Sequence, residues 1–306
     1  MADVTRGEVG GGRPEEPAPA SHLPAVSIGL PVYNGAATVG RAIIALLGQT
    51  FADFELIISD NGSTDATEEV CRDFARRDGR IRYVRHAHNR GPVANFSFVL
   101  AEARAPFFMW AAADDRWEPE FLAATLERLR SDSSLVSCVS RVSMPGLPRP
   151  GTRPLVGSFV RKARRLILEN DANSRYYGVF RTGVLRGAFR EGAQPFVAAD
   201  WAVIIAAARR GDFGQVDRVL MTRSTRGTSS SWARQMDSLG VRGPGRLLPF
   251  YGFTEWLWRN MAWWEFVACL DVILLRNLSV TVHYGLEIVR AWRARMAMPE
   301  RATRPA

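Results

Sequence analysis

The sequence predicts an α/β protein with a mostly parallel central sheet flanked by helices, followed by a C-terminal helical extension. Three observations predict it. Short apolar, β-branched runs alternate with stretches of helical periodicity through the first half of the chain, the pattern of βαβ units. Each run stops at a cluster of polar, turn-forming residues, as expected where strands meet helices along one edge of a sheet. From Leu247 to Trp292 the chain turns aromatic and aliphatic with interspersed charge, which reads as two or three amphipathic helices.

Residues 1–24 are rich in Gly, Pro, Glu and Ala and hold no apolar stretch, so a disordered leader is expected there and not a signal peptide. Val26–Leu30 reads as a first buried strand ended by Pro31, and Asn34-Gly35 as a turn. Val39, Ile43, Leu46 and Leu47 then recur at helical spacing up to Gly48. Phe54–Ser59 is a second strand, stopping at Asp60-Asn61-Gly62-Ser63-Thr64-Asp65, and Ala66–Arg76 a second helix. Ile81–Val84 leads into His88-Asn89-Arg90-Gly91-Pro92 and a helix over Val93–Ala103. Phe107–Ala111 is a fourth strand, and Pro119 opens the next helix. Leu135–Val139 is expected as another strand, and Pro145 to Gly157 as a surface connection.

The fourth strand ends at two adjacent carboxylates, Asp114 and Asp115. Neighbouring carboxylates repel each other and favour water or a cation. Oxygen-only ligands suit Mg²⁺ or Mn²⁺, whose shell is commonly completed by phosphate oxygens and water. The plainer alternative is a solvated turn with a helix cap. Tyr33, Asn34, Asp60, Asn61, Asn89 and Arg90 close the other strands, so all of them can converge on one sheet edge with the acidic pair. A nucleotide phosphate fits such an edge, because helix N-termini and a metal ion both meet its charge. No GxGxxG follows the first strand and no GxxxxGK[ST] occurs, which excludes the two commonest phosphate cradles.

The net charge of +9 favours an acidic partner: nucleic acid, an anionic bilayer or a phosphorylated ligand. Lys162 is the only lysine, so the positive charge is arginine, which suits bidentate phosphate binding. Arg161–Arg165 is a basic cluster on a helix, either a solvated face or a contact for anionic lipid. Cys71, Cys138 and Cys269 show no CxxC spacing, and the four histidines form no HExxH. Glu255, Arg259, Glu265, Asp271 and Arg276 are expected to interrupt every window long enough to span a bilayer.

Four blocks, PVYNGAATVGRAI, QTFADFELIISDNGSTD, HNRGPVANF and ADDRWEPEFL, together resemble the donor half of a family 2 glycosyltransferase with the GT-A fold, over roughly Val26 to Val142. The resemblance implies a nucleoside-diphosphate sugar donor, bound by Pro31, Tyr33, Asn34, Asp60, Asn61, Asn89, Arg90 and Asp114 at the strand edge. It also implies Mg²⁺ or Mn²⁺ on Asp115 with Asp114 beside it, and Tyr33 as a stacking surface for the base. Two positions depart from the family's pattern: Asn61 stands where a second acid is frequent, and Ala112 where many members begin Asp-Ala-Asp-Asp.

On the acceptor side, Tyr176–Arg181 resembles the family's acceptor-side strand and Ala198-Ala199-Asp200-Trp201 the block that supplies its base. The resemblance implies Asp200 as the catalytic base of an inverting transfer, the alternative being a helix cap. Arg223 and Arg226 stand in a loop where relatives often carry an arginine and a histidine closing over the diphosphate; no histidine is present here, which leaves the two arginines as the implied phosphate partners. The implied organisation is a leader at 1–24, a catalytic domain at 25–235 with donor and acceptor halves meeting near 142, a helical extension at 236–293 and a basic tail at 294–306. The implied acceptor is a glycan or polyprenyl-linked hydroxyl, with a cytoplasmic location, peripheral at the cytosolic membrane face. The extension could pack on the catalytic domain, meet a second copy, or lie in a membrane interface. Two competing readings are a catalytically inactive assembly subunit, motivated by Ala112 and Asn61, and a nucleic-acid binder whose affinity falls steeply with salt.

Overall fold

The computed structural model describes residues 22–146, 152–169, 173–224, 232–242, 246 and 248–296. The chain first lays down β1 (Val26–Val32), α1 (Val39–Leu47), β2 (Phe54–Asp60), α2 (Thr67–Arg77), β3 (Ile81–Arg85), α3 (Pro92–Glu102) and β4 (Phe107–Trp110). The strands β3, β2, β1 and β4 are neighbours in that order and all parallel. Every residue of β1, β2 and β4 is buried, which is why these segments are continuous apolar runs without alternation.

The second half comprises β5 (Arg116–Trp117), α4 (Phe121–Arg130), β6 (Leu135–Ser143), α5 (Phe159–Leu168), a 3₁₀ turn (Ser174–Tyr177), β7 (Val179–Arg181), α6 (Thr182–Gly192), α7 (Ala199–Ala208) and β8 (Asp212–Thr222). The helices α8 (Trp232–Ser238), α9 (Tyr251–Asn260) and α10 (Trp263–Met296) follow. The sheet continues past β4 as β7, β6, β8 and β5, eight strands in all. Its second half is mixed: β7 runs antiparallel to both β4 and β6, and β5 antiparallel to β8. The expected acceptor-side strand at Tyr176–Arg181 is present from Val179 to Arg181, while Tyr176 and Tyr177 belong to the preceding 3₁₀ turn. Two aromatic side chains explain the difference. Tyr176 stacks flat on Trp110 at the end of β4, 4.4 Å between ring centres, and holds the chain out of the sheet.

Two apolar layers sandwich the sheet. On one face α1 and α4 bury Val39, Ala42, Ile43 and Leu46 and Phe121, Leu122, Leu126 and Leu129. On the other, α7 is apolar all round and enclosed from Trp201 to Ala208, with α3, α5, α6, α9 and α10 sharing its core.

The C-terminal region differs from expectation in one respect. It forms α9 and one continuous helix of 34 residues, which in length and composition is apolar enough to cross a membrane. The charges expected to break every spanning window are spaced too widely to do so. Several of them fasten α10 to the body: Glu265 pairs with Arg209 at 2.8 Å, Asp271 with Arg164, and Arg276 donates to the Glu169 carbonyl. Three of the basic residues on α5 are paired with acids, Lys162 with Asp212 at 2.9 Å, Arg165 with Glu169 at 2.9 Å and Arg164 with Asp271, while Arg161 is exposed.

Candidate active site

The site lies where β1 and β4 part. The last rung between them is the Ala111 N–H to the Gly29 carbonyl, 2.8 Å, and Pro31 has no N–H with which to extend it. Parallel sheets open a crevice at such a point, at the C-terminal ends of the strands. A Cβ built on Gly35, in the loop after β1, would stand 3.7 Å from the Ala113 Cβ, so this loop and the acidic motif line one opening.

The loops along the donor edge are stitched together by side chains. Asn34 takes a left-handed φ of 49° and its Oδ1 accepts from the Thr64 N–H at 2.9 Å. Asp60, fully buried at the end of β2, accepts from the Ser63 N–H and the Tyr83 hydroxyl, both at 2.8 Å. Asn61 donates to Asn89 Oδ1 at 2.8 Å and to the Gly91 carbonyl at 3.1 Å, and accepts from the Arg90 N–H at 2.9 Å. Asp60 and Asn61 are thus occupied in shaping the loops rather than left open toward solvent. Gly62, at φ 73°, permits this closeness: a Cβ there would stand 2.8 Å from the His88 carbonyl carbon. Tyr33 is 47% exposed, so its ring is a surface, not a core residue. Asn89 and Arg90, on the loop after β3, are exposed too.

Asp115 and Arg223 meet because of strand register. The antiparallel pairing of Arg116 with Thr222 puts the next residues outward, Asp115 and Arg223, opposite each other. Arg223 Nε lies 3.6 Å from Asp115 Oδ2, and the Ser224 N–H donates to Asp115 Oδ1 at 2.9 Å. Asp115 Oδ2 is buried and accepts no hydrogen bond. Burial pushes the Asp115 carboxyl up to about 6, against the Arg223 cation and the Ser224 N–H, with the Asp114 charge adding to the rise. Asp114 itself is exposed.

The 3₁₀ turn carries the connection to Asp200. Arg223 Nη1 donates to Ser174 Oγ at 3.3 Å, and the guanidinium lies 4.6 Å from the centre of the Tyr177 ring. Asn173, with φ 50°, donates from Nδ2 to Asp200 Oδ2 at 2.9 Å. Asp200 stands in the first turn of α7; the cap position is Ala198, so the helix-cap alternative does not describe it. Burial pushes the Asp200 carboxyl above the ordinary range, opposed by Asn173 and by the Arg223 cation. The Tyr177 hydroxyl is raised first by burial, opposed by Arg223, and further by the charges of Asp115, Asp200 and Asp114. One phenol therefore senses all three carboxylates.

Among the described residues no three His, Cys, Asp or Glu side chains form a metal cluster. The pair present still fits a hard divalent cation: an exposed carboxylate beside a buried one whose Oδ2 faces the Arg223 cation at 3.6 Å without a short hydrogen bond, leaving other positions for phosphate and water. Arg226 lies outside the described residues. Asn173, Ser174 and Tyr177 were not legible as site residues, although the turn formers Asp171 to Ser174 signal a break in regular structure.

Comparisons with known proteins agree with this architecture. The chain is 14% identical to S. aureus TarS residues 1–349 in complex with UDP-GlcNAc, with a TM-score of 0.65 over 86% of this chain and 75% of that one. It is 16% identical to the mannosyltransferase PcManGT of Pyrobaculum calidifontis in complex with GDP-Man and Mn²⁺, with a TM-score of 0.50 over 92% and 82%. These likenesses give the fold, an α/β transferase of the GT-A type. The sequence model described as Glycosyl transferase family 2 matches residues 27–193, and the chain belongs to that family. The name of that family is that of a glycosyl transferase. EpsH of Bacillus subtilis, which bears a glycosyltransferase name, is 30% identical over 115 residues, 38% of this chain. The match spans 33% of EpsH, and 38% and 34% of the next two relatives.

Proposed function

We propose that the protein moves a sugar from a nucleoside diphosphate donor to an acceptor hydroxyl by direct, inverting displacement, within a catalytic unit spanning residues 25–235. The observation that carries this reading is the chain of contacts from Asp115 to Arg223, from Arg223 to Ser174, and from the neighbouring Asn173 to Asp200, which joins two carboxylates 85 residues apart in sequence. The Arg223 cation, with a metal that Asp115 would hold, meets the negative charge on the leaving side, and Asp200 offers a proton acceptor on the attacking side.

The donor enters the crevice between β1 and β4. Tyr33 offers its exposed ring to the base, and Asn34, Asn89 and Arg90 face the ribose and diphosphate, on loops that Asp60 and Asn61 hold in register. Asp115 and Asp114 would hold Mg²⁺ or Mn²⁺, which supplies positive charge against the diphosphate when bound. Arg223 provides a second, permanent cation for the same oxygens. Asp200 takes the proton of the acceptor hydroxyl as that oxygen bonds to the anomeric carbon. The bond from that carbon to the diphosphate breaks, and the electron pair leaves with the phosphate. A raised carboxyl is a stronger base once ionised, so the burial of Asp200 serves the role. The acceptor is a glycan or a lipid-linked glycan, and the enzyme works peripherally at the cytosolic membrane face.

The test is Asp200→Asn. Transfer or donor hydrolysis is expected to fall about a hundred- to ten-thousand-fold with donor affinity kept, the range for removing a general base. Wild-type turnover in that variant would remove Asp200 from the mechanism. Donor binding without turnover in the native chain would favour the inactive assembly subunit.

A further inference from the structure

The outer face of α10 is apolar, and nothing in the described structure covers it. Val267, Leu270, Leu274, Leu278, Val282 and Leu286 follow one another at three- and four-residue steps, each between 40 and 63% exposed. They form a single stripe along the helix. Trp263 and Trp264 flank its start at 72 and 54% exposed, and Trp292 its end at 60%. Contiguous apolar surface of this extent marks an interaction site.

The opposite face is committed. Cys269, Val272, Ile273, Val280 and Tyr284 are buried against the body, and Glu265, Asp271 and Arg276 tie the helix to Arg209, Arg164 and the Glu169 carbonyl. A helix so fastened cannot cross a bilayer without drawing these ion pairs, and the α/β body that bears them, into hydrocarbon. The length and composition that would permit spanning are therefore used differently.

Charge selects the occupant. From Trp263 to Val289 three acids occur: Glu265 is buried, half-buried Glu287 accepts from the Trp232 N–H, and exposed Asp271 is bonded twice to Arg164. The stripe then runs into exposed Arg290 and Arg293, and the sequence continues with Arg295, Arg301 and Arg304. A second copy laid antiparallel would bring Arg290 and Arg293 against Trp263 and Trp264, where α10 offers no exposed carboxylate. Laid parallel, it would set arginine against arginine. An anionic lipid surface meets both features at once, with acyl chains under the leucines, tryptophans at the headgroup level and phosphates at the arginines.

We propose that α10 docks the protein on anionic membranes by lying in the plane of the interface along this stripe. The proposal gives the peripheral location a physical element and does not depend on the donor chemistry, so a chain that bound no nucleotide would still be expected to bind vesicles.

The experiment is sedimentation with vesicles of phosphatidylcholine alone or mixed with phosphatidylglycerol. The full chain is compared with the Leu274→Glu/Leu278→Glu and Arg290→Glu/Arg293→Glu double variants. All four positions are exposed, and circular dichroism confirms that each variant folds. The native chain should sediment with the anionic vesicles, lose binding as salt rises, and be released by alkaline carbonate. Either double variant should bind about tenfold or more weakly, as expected when interfacial leucines or lipid-facing cations become acids. Failure to sediment with either vesicle, resistance to carbonate, binding indifferent to the leucine changes, or a dimer that Leu274→Glu/Leu278→Glu abolishes would each overturn the proposal.

Discussion

Asn61 shows how one atom's chemistry organises the donor edge. Its amide donates two hydrogen bonds, to Asn89 Oδ1 and to the Gly91 carbonyl, where a carboxylate could donate none. The departure from the acid frequent at this position is thus a structural choice, which ties the loop after β2 to the loop before α3. Asn61→Asp would set a negative oxygen against two acceptors in a nearly closed site. It should cost about 1–3 kcal/mol, the usual penalty for buried polar groups left unmatched. Chemical denaturation measures it, and an unchanged midpoint would show that the loops do not need this link. Gly62→Ala should be destabilised as well, because φ 73° is strained for alanine and its Cβ would press on the His88 backbone. The acidic pair stood out by residue type at a strand end, and Asp200 was singled out through the family resemblance. That Asp60 is internally engaged was not legible, because the sequence does not reveal that Tyr83 reaches it from the next strand.

At the scale of elements, the parallel half of the sheet was readable because its buried strands are short, largely apolar runs separated by segments of helical periodicity. The segment around Tyr176 was misread because it has a strand's composition, while its conformation is decided by Trp110, some 66 positions earlier. The charges in α10 were visible, but their partners were not. Sequence alone cannot tell an acid that faces lipid from one that faces Arg209. That pair leads to a pH prediction. The Arg209 hydrogen bond is the largest influence on Glu265 and holds its carboxyl below the usual value. A depressed carboxylate contributes stability that is fully present above the ordinary glutamate range and is lost as pH falls through the folded value. The docking of α10 should therefore weaken in acid below that range. Arg209 is 41% exposed, so solvent screening limits the contribution to about 1 kcal/mol. Glu265→Gln should flatten the acid limb of a melting-temperature profile by that amount, and an identical profile would mean the pair does not steady the helix.

At the scale of the whole molecule, one eight-stranded sheet carries two kinds of chemistry on one edge. Its parallel half opens the crevice beside Pro31, where the proposed nucleotide donor would enter. Its mixed half returns β8 against β5 and so delivers Arg223 to Asp115. The turn at Asn173 and Ser174 then reaches Asp200. The central claim is that this edge binds a nucleoside diphosphate with a divalent cation held by Asp115. Calorimetric titration of UDP, dTDP, GDP and CDP, with and without Mn²⁺, on the native chain and on Asp115→Asn tests it most directly. The account predicts that one nucleotide binds, that binding needs the metal, and that the substitution abolishes it. Metal-independent binding, or binding undiminished in Asp115→Asn, would contradict the account, as would the absence of binding by all four nucleotides.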